Sequence, residues 1–473
     1  MKLNHLVLAF VVLLGSVIVS AQSPAGVEQF IRVKSPVIAL EHVRVIDGTG
    51  AAAKSDQTIV ISGDKITGIG NSGTVQIPAD ANRMDMTGAT ALPGLVGMHE
   101  HLFYPAGGGL YHDMPYSFPR LYLAAGVTSL RTTGSMETYL DLEIKKAIDT
   151  GKVPGPKINV TGPYLEGAGA PIMQLHQLSG PEETRKTVEY WMDEGVRSFK
   201  AYNYITRAEL KAAIDAAHQR GIKVTGHLCS IGYREAAALG IDDLEHGLTV
   251  DTEFFPGKQP DVCPSANQAM EAASKLDVNG TEIQTTIREL VAHHVAITST
   301  LPVFEQFVAS RPNVPQKVLD SLSEDARKAY LANRARIAQN TNSAWPVMFP
   351  KEMQFERAFV KAGGLLLAGL DPTGIGGIVA GFGDHREVEL LVEAGFTPVE
   401  AIRIATLNGA QFLGEADHIG SLANGKQADI VVVRGDPSTN IQDIENVEVV
   451  FKDGIGYNSA KLIESAKGQV GIR

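Results

Sequence analysis

The chain has 473 residues, a formal charge of −11 and a composition that is 44% hydrophobic and 20% charged. That length supports a large core, with room for one barrel-sized domain and a smaller companion. The acidic balance excludes a dedicated nucleic-acid binder, which needs a basic face, and no polybasic run serves an anionic membrane surface.

Lys2 precedes the apolar run Leu6 to Val19, and Val19-Ser20-Ala21 supplies the small residues of a cleavage site. Residues 1–21 are read as a signal peptide, which makes the protein exported, periplasmic or secreted, with a mature chain starting near Gln22. A retained N-terminal anchor is the alternative, but the run is short for a full span. No later segment reads as transmembrane, so no stable membrane insertion is expected after cleavage.

From Val37 to Met86 short alternating β-rich pieces are broken by the turn chemistry of Asp47-Gly48, Gly63-Asp64 and Asn71-Ser72-Gly73. Residues 22–92 therefore begin a small β domain. The apolar run Ala91 to Met98 then ends in His99-Glu100-His101. Residues two apart in a strand share a face, so both imidazoles can meet one ion, although this short motif alone is a weak signal.

Beyond His101 strands alternate with helices, the pattern of βα units on a parallel sheet. After a Gly-, Pro- and Tyr-rich loop from Phe103 to Phe118, the second to fourth strands are expected at Gly126 to Arg131, Pro156 to Thr161 and Val196 to Tyr202. The fifth to eighth are expected at Ile222 to His227, Ile241 to His246, Val295 to Thr300 and Leu365 to Asp371. Helices are expected at Pro181 to Glu194, Arg207 to Arg220 and Arg234 to Leu239, and a mostly helical insertion at Val303 to Lys361. This predicts an α/β fold, a (β/α)8 TIM barrel over residues 93–413. The β-rich style returns in residues 414–473, so both chain ends are expected to build one composite β-sandwich domain. Cys229 and Cys263 are read as two small buried hydrophobes, with one disulfide as the alternative in an exported protein.

Six groups able to bind or bridge metal ions stand at predicted strand ends: His99, His101, Lys200, His227, His246 and Asp371. In a closed barrel these ends gather on one rim, where active sites of that architecture lie. Together with Leu92-Pro93-Gly94-Leu95-Val96-Gly97-Met98, Leu370-Asp371-Pro372-Thr373 and the tail Gly420 to Val433, they make the chain resemble the amidohydrolase superfamily. The likeness covers nearly all of the mature chain. It is nearest the branch of imidazolonepropionase-like proteins and of secreted or membrane-associated dipeptidases acting on proline-containing and N-acyl substrates. Glu100 departs from it, standing where a small or hydroxyl residue is usual.

The resemblance implies a binuclear site, with His99, His101 and Asp371 on one divalent metal and His227 and His246 on the second. Zinc suits a histidine-rich set, while manganese, cobalt and nickel stay open. It implies that Lys200 captures carbon dioxide and bridges both ions as a carbamate. A bridging water would then be acidified, with Asp371 as general base and later general acid and His227 helping to polarise the carbonyl. No G-x-S-x-G elbow supports a serine hydrolase.

Each residue also has a structural reading. Lys200 can be an ordinary ion-paired lysine over a site with one metal, and Asp371 can cap a helix before Pro372. Tyr202, Arg131 and His176 are candidate substrate-binding residues, with a packed aromatic, a structural ion pair and a solvated loop histidine as their alternatives. His112 belongs with His176, while His218, His293, His294 and His418 read as helix or surface residues. The preferred function is hydrolysis of a small-molecule amide, a dipeptide or N-acyl amino acid. Opening of a cyclic amide, deamination of a heterocycle and a metal-free scaffold are the alternatives. A closed homo-oligomer is the common case for a soluble enzyme.

Overall fold

The computed structural model describes residues 26–472; the signal peptide expected over residues 1–21 lies outside the described residues. Among them, no helix is long and apolar enough to cross a membrane.

Strands from both ends of the chain meet in one nine-stranded sheet. Its central seam pairs Ala89–Pro93 antiparallel with Ile430–Arg434, with Leu92 opposite Val431. Period-two alternation divides these strands between two cores. Leu92, Val431 and Val433 point into the main core, while Ala91, Ile430 and Val432 point into a second core within the sheet region.

Pro93 ends that seam and the chain passes directly into the first of eight parallel strands. These are β1 (Leu95–Glu100), β2 (Val127–Thr132), β3 (Lys157–Asn159), β4 (Ser198–Ala201), β5 (Lys223–Gly226), β6 (Asp243–Glu245), β7 (Ala296–Ser299) and β8 (Leu366–Ala368). They form a three-stranded parallel sheet, β3-β2-β1, and a five-stranded one, β4 to β8 in sequence order. A parallel bridge from Thr161 to Ser198 joins the sheets at one edge. At the other, the Asp371 N–H donates to the His99 carbonyl at 3.1 Å. Gly369 permits that approach, because a Cβ there would stand 2.4 Å from both the backbone N and the Cβ of His99.

Helices between the strands bury apolar stripes at helical spacing. In Arg207–His218 the buried set includes Leu210, Ala213, Ile214 and Ala217, and Thr206 with Glu209 closes a reciprocal capping box at its start. The chain beyond it turns at Gly221, with φ of +66°, into β5.

Two expectations are corrected here. The segment after His101 is not simply a loop: Phe103–Gly107 and Leu110–Asp113 pair as an antiparallel hairpin. Gly107, Gly108 and Gly109 all take positive φ, so the glycines that suggested an irregular loop instead close a tight turn. Cys229 and Cys263 are not separate small hydrophobes but a disulfide, with Cα atoms 4.8 Å apart. The segment after β6 folds back on the end of β5, where the Thr252 hydroxyl donates to the Cys229 carbonyl at 2.6 Å.

The bridge spans 34 residues of sequence, so its loss frees the unfolded chain more than the folded one. Cys263→Ser is expected to destabilise the protein by about 2–4 kcal/mol. Denaturant unfolding with and without reductant measures this; equal midpoints would refute it.

Candidate active site

The ends of β1, β4, β5, β6 and β8 bring His99, His101, Lys200, His227, His246 and Asp371 together. All six are buried or nearly so, His227 being the most exposed of them. His99 Nδ1 lies 2.7 Å from Glu245 Oε2, which fixes its N–H there and turns Nε2 toward Asp371 Oδ2 at 3.8 Å and Lys200 Nζ at 3.2 Å. His101 Nε2 is 3.6 Å from Asp371 Oδ1 while its Nδ1 faces the Gly134 carbonyl at 3.3 Å. His246 Nδ1 is 2.7 Å from the Thr300 hydroxyl, and its Nε2 points at Asp371 Oδ2 from 3.8 Å with no hydrogen-bond partner. The His227 ring centre lies 4.5 Å from that of His246.

Two of these residues have left-handed backbones, His246 at φ +71° and Asp371 at φ +49°. Such conformations are uncommon outside glycine and persist only where the surroundings enforce them. Around His246 the enforcement is visible: the Tyr233 hydroxyl meets the carbonyls of Glu245 and Gly247 at 2.7 and 2.8 Å, and Glu352 accepts the Thr249 N–H at 2.7 Å.

Burial determines the protonation of the site. It pulls His101 down to about 4 and His227 to about 3, and it lowers His99 and His246 as well. All four imidazoles are therefore neutral near pH 7, the form that donates a lone pair to a metal. Burial also lowers Lys200, raising the share of neutral amine.

This donor set fits a divalent ion. The ligand atoms of His99, His246 and Asp371 lie within 4.8 Å of one another, and the spacings to Asp371 suit ligands about 2.0–2.2 Å from a common zinc. An orphaned, fully buried imidazole nitrogen at His246 is otherwise costly.

The three candidate substrate residues separate. Tyr202 lines the same cavity as His101, Lys200, His227, His246 and Asp371, its ring centre 5.2 Å from that of His227. Arg131 does not: it is 1% exposed and its guanidinium donates to the Met98 carbonyl, to Asp243 at 3.0 Å and to Glu245 at 3.2 Å. Its role is that of a buried counter-charge beneath His99, because Glu245 needs a cation once it leaves water. His176 is exposed and pairs with Glu183 at 2.8 Å, outside the cavity lining. Arg131→Leu is expected to cost about 3–5 kcal/mol by leaving buried carboxylates unpaired; an unfolding free energy within 1 kcal/mol of the parent would show the pair to be dispensable.

Sequence reasoning missed Glu245 and Thr300, which orient His99 and His246. Asp243 and Glu245 did carry a signal, two acids on one face of a buried strand, which predicts a buried cation opposite. Glu100 also falls into place. It is fully buried on the other side of β1, where burial pushes its carboxyl well up, beside Asp384, itself pushed up to about 7. Its side chain is packed on the far side of the strand from the histidine cluster rather than within it.

Solved structures resemble this fold. A prolidase candidate from Bifidobacterium longum is 26% identical, with 91% of this chain and 98% of that chain covered and a TM-score of 0.65. A Xaa-Pro dipeptidase with bound methionine is 21% identical over 89% of this chain and 100% of its own, with a TM-score of 0.67. A bottromycin amidohydrolase is 19% identical over 92% and 91%, with a TM-score of 0.68. At those identities the last two speak for the fold alone. Adenine deaminase 2 of Jannaschia sp. (strain CCS1) is 39% identical over 72 residues, a stretch that covers 15% of this chain and 11% of that protein. The sequence model of the amidohydrolase family matches residues 90–456, and the chain therefore belongs to that family of carbon–nitrogen hydrolases.

Proposed function

We propose that the protein is a metal-dependent hydrolase of the amide bond in a dipeptide or N-acyl amino acid, exported from the cytoplasm and working on a (β/α)8 barrel. The observation that carries this reading is the convergence of His99, His101 and His246 Nε2 on the two oxygens of Asp371, at 3.6–3.8 Å. The bridges at both edges of the two parallel sheets support the closed barrel.

The family resemblance would place His99, His101 and Asp371 on one ion and His227 and His246 on a second, while the distances also group His246 with His99 and Asp371; zinc is the ion best matched to the donors. Bound divalent metal supplies a Lewis acid for the scissile carbonyl and lowers the pKa of water toward neutrality. Burial lowers the pKa of the Lys200 amine and so favours its addition to carbon dioxide: the deprotonated amine's lone pair forms the N–C bond, a proton leaves to solvent, and the carbamate carries the negative charge. Such a carbamate offers two oxygens where an ammonium offers none.

Asp371 has the position of a proton carrier. It takes a proton from the attacking water as the new C–O bond forms and delivers it to nitrogen as the C–N bond breaks, yielding an acid and an amine. His227, half-buried and neutral, lines the same cavity, where it would orient the carbonyl oxygen. Deamination of a heterocycle over one metal is the second reading, favoured by the 72-residue likeness to an adenine deaminase.

Metal analysis of protein purified with zinc and bicarbonate, beside a panel of dipeptides, N-acyl amino acids and heterocycles, tests the proposal. Two metals per chain with amine release is the expected result. One metal with ammonia release from heterocycles would establish deamination instead.

A further inference from the structure

Immediately above the ligands lies a small apolar cluster that is separate from the cores binding the sheets together. Phe103, Tyr164 and Leu175 are buried in it, and Tyr111, Ile172 and Tyr202 pack against them. All six face the cavity that also exposes His101, Lys200, His227, His246 and Asp371. Phe103 stacks on the His101 ring at 4.3 Å, and Lys200 Nζ sits 5.7 and 5.8 Å from the ring centres of Tyr164 and Tyr202. The aromatic wall thus begins where the ligands end.

Beyond the ligand set, this lining contains no charged side chain. A carboxylate or ammonium entering the sleeve would lose most of its water and find no opposite charge beyond the ligand set, only the hydroxyls of Tyr111, Tyr164, Tyr202 and Thr373 and the faces of the aromatic rings. An apolar group entering it would gain burial at no such loss.

We infer that this sleeve receives the acyl half of the substrate and selects an uncharged, apolar acyl group. The inference rests on the amide-hydrolase reading and narrows it. The carbonyl must reach the ligands, and of the two groups bonded to it the amino-acid half carries a free carboxylate that the uncharged lining does not match, so the acyl substituent is the one assigned to the sleeve. The amine half gains a proton on cleavage and belongs on the solvent side. A free dipeptide carries its ammonium on the acyl residue and is therefore disfavoured, whereas an N-acyl amino acid with an aryl or alkyl acyl group is accepted, its carboxylate remaining outside.

The sleeve is made of two covering pieces. Phe103 and Tyr111 belong to the hairpin, while Tyr164, Ile172 and Leu175 belong to the segment after β3. Gln174 clips the two together, accepting the Tyr111 N–H at 2.7 Å and donating to the Tyr111 carbonyl at 2.9 Å. The enclosed cavity is about 60 Å³, well short of the roughly 300–1,000 Å³ of ligand sites. An acyl group larger than this cavity enters only if the hairpin and the segment part.

Calorimetric binding to the zinc-loaded protein tests the inference without requiring turnover. Phenylacetohydroxamic acid is expected to bind at least about 100-fold more tightly than succinic monohydroxamic acid. Equal affinities, or no binding of either, would overturn the inference. Ile172→Arg, with metal content as the folding control, is expected to reduce that ratio at least about tenfold by supplying the missing partner; an unchanged ratio would also overturn it. Amine release from N-phenylacetyl, N-succinyl and N-β-alanyl amino acids separates the two levels of the argument. Hydrolysis of all three alike would remove the sleeve and leave amide hydrolysis standing. Selective hydroxamate binding with no amine release would do the reverse.

Discussion

Asp371→Asn is expected to lower turnover by about 10²–10⁴-fold, the range a positioned proton-transfer group contributes, while most of the metal is retained. The asparagine keeps the size and the ligating oxygen of the side chain but cannot accept the proton of the attacking water. The site makes this a clean substitution. Asp371 Oδ1 faces His101 and Oδ2 faces both His99 and His246, so the replacement retains one oxygen among the imidazoles. The left-handed backbone at this residue also favours the exchange, since asparagine shares the tolerance of aspartate for that region. Steady-state kinetics with metal analysis on the same preparation decide the matter. Wild-type turnover in the variant would remove Asp371 from the proton path.

Lys200→Ala is expected to reduce the metal content of the purified protein from two ions per chain toward one, and to lower activity with it. Lys200 is 1% exposed, its amine faces the His99 ring at 3.2 Å, and burial lowers its pKa. A merely structural lysine in such a place would be expected to pair with a carboxylate. Instead its nitrogen is directed at an imidazole and two aromatic rings, which suits a neutral amine able to take up carbon dioxide. Wild-type protein prepared without bicarbonate should show the same deficit, reversible on adding bicarbonate. Two tightly held metals in Lys200→Ala would exclude a bridging role.

The six clustered residues were legible in the sequence because each stands where a short apolar strand stops, and a strand has a local period that places its side chains. His99 and His101 follow from that period, and His227 and His246 from the same grammar repeated in neighbouring units. The chain order of the βα units and the return of β-rich sequence after Gly414 were legible for the same reason. Secondary structure is written in residues a few positions apart.

What tertiary structure alone decided depends on partners far apart in the chain. Glu245 orients His99 across 146 residues and Thr300 orients His246 across 54. Arg131 sits at a strand end, as a substrate ligand would, yet its guanidinium turns under the site to Asp243 and Glu245. Cys229 meets Cys263 only because the segment after β6 folds back. The aromatic sleeve joins a hairpin to a segment some 60 residues later through one glutamine side chain. By itself the sequence determined the eight parallel strands, the helices between them and the residues at the strand ends, because those follow local periodicity. Which of these side chains face one another, and which face a substrate, was decided by the packing of the sheets, because side-chain direction and burial have no local signature.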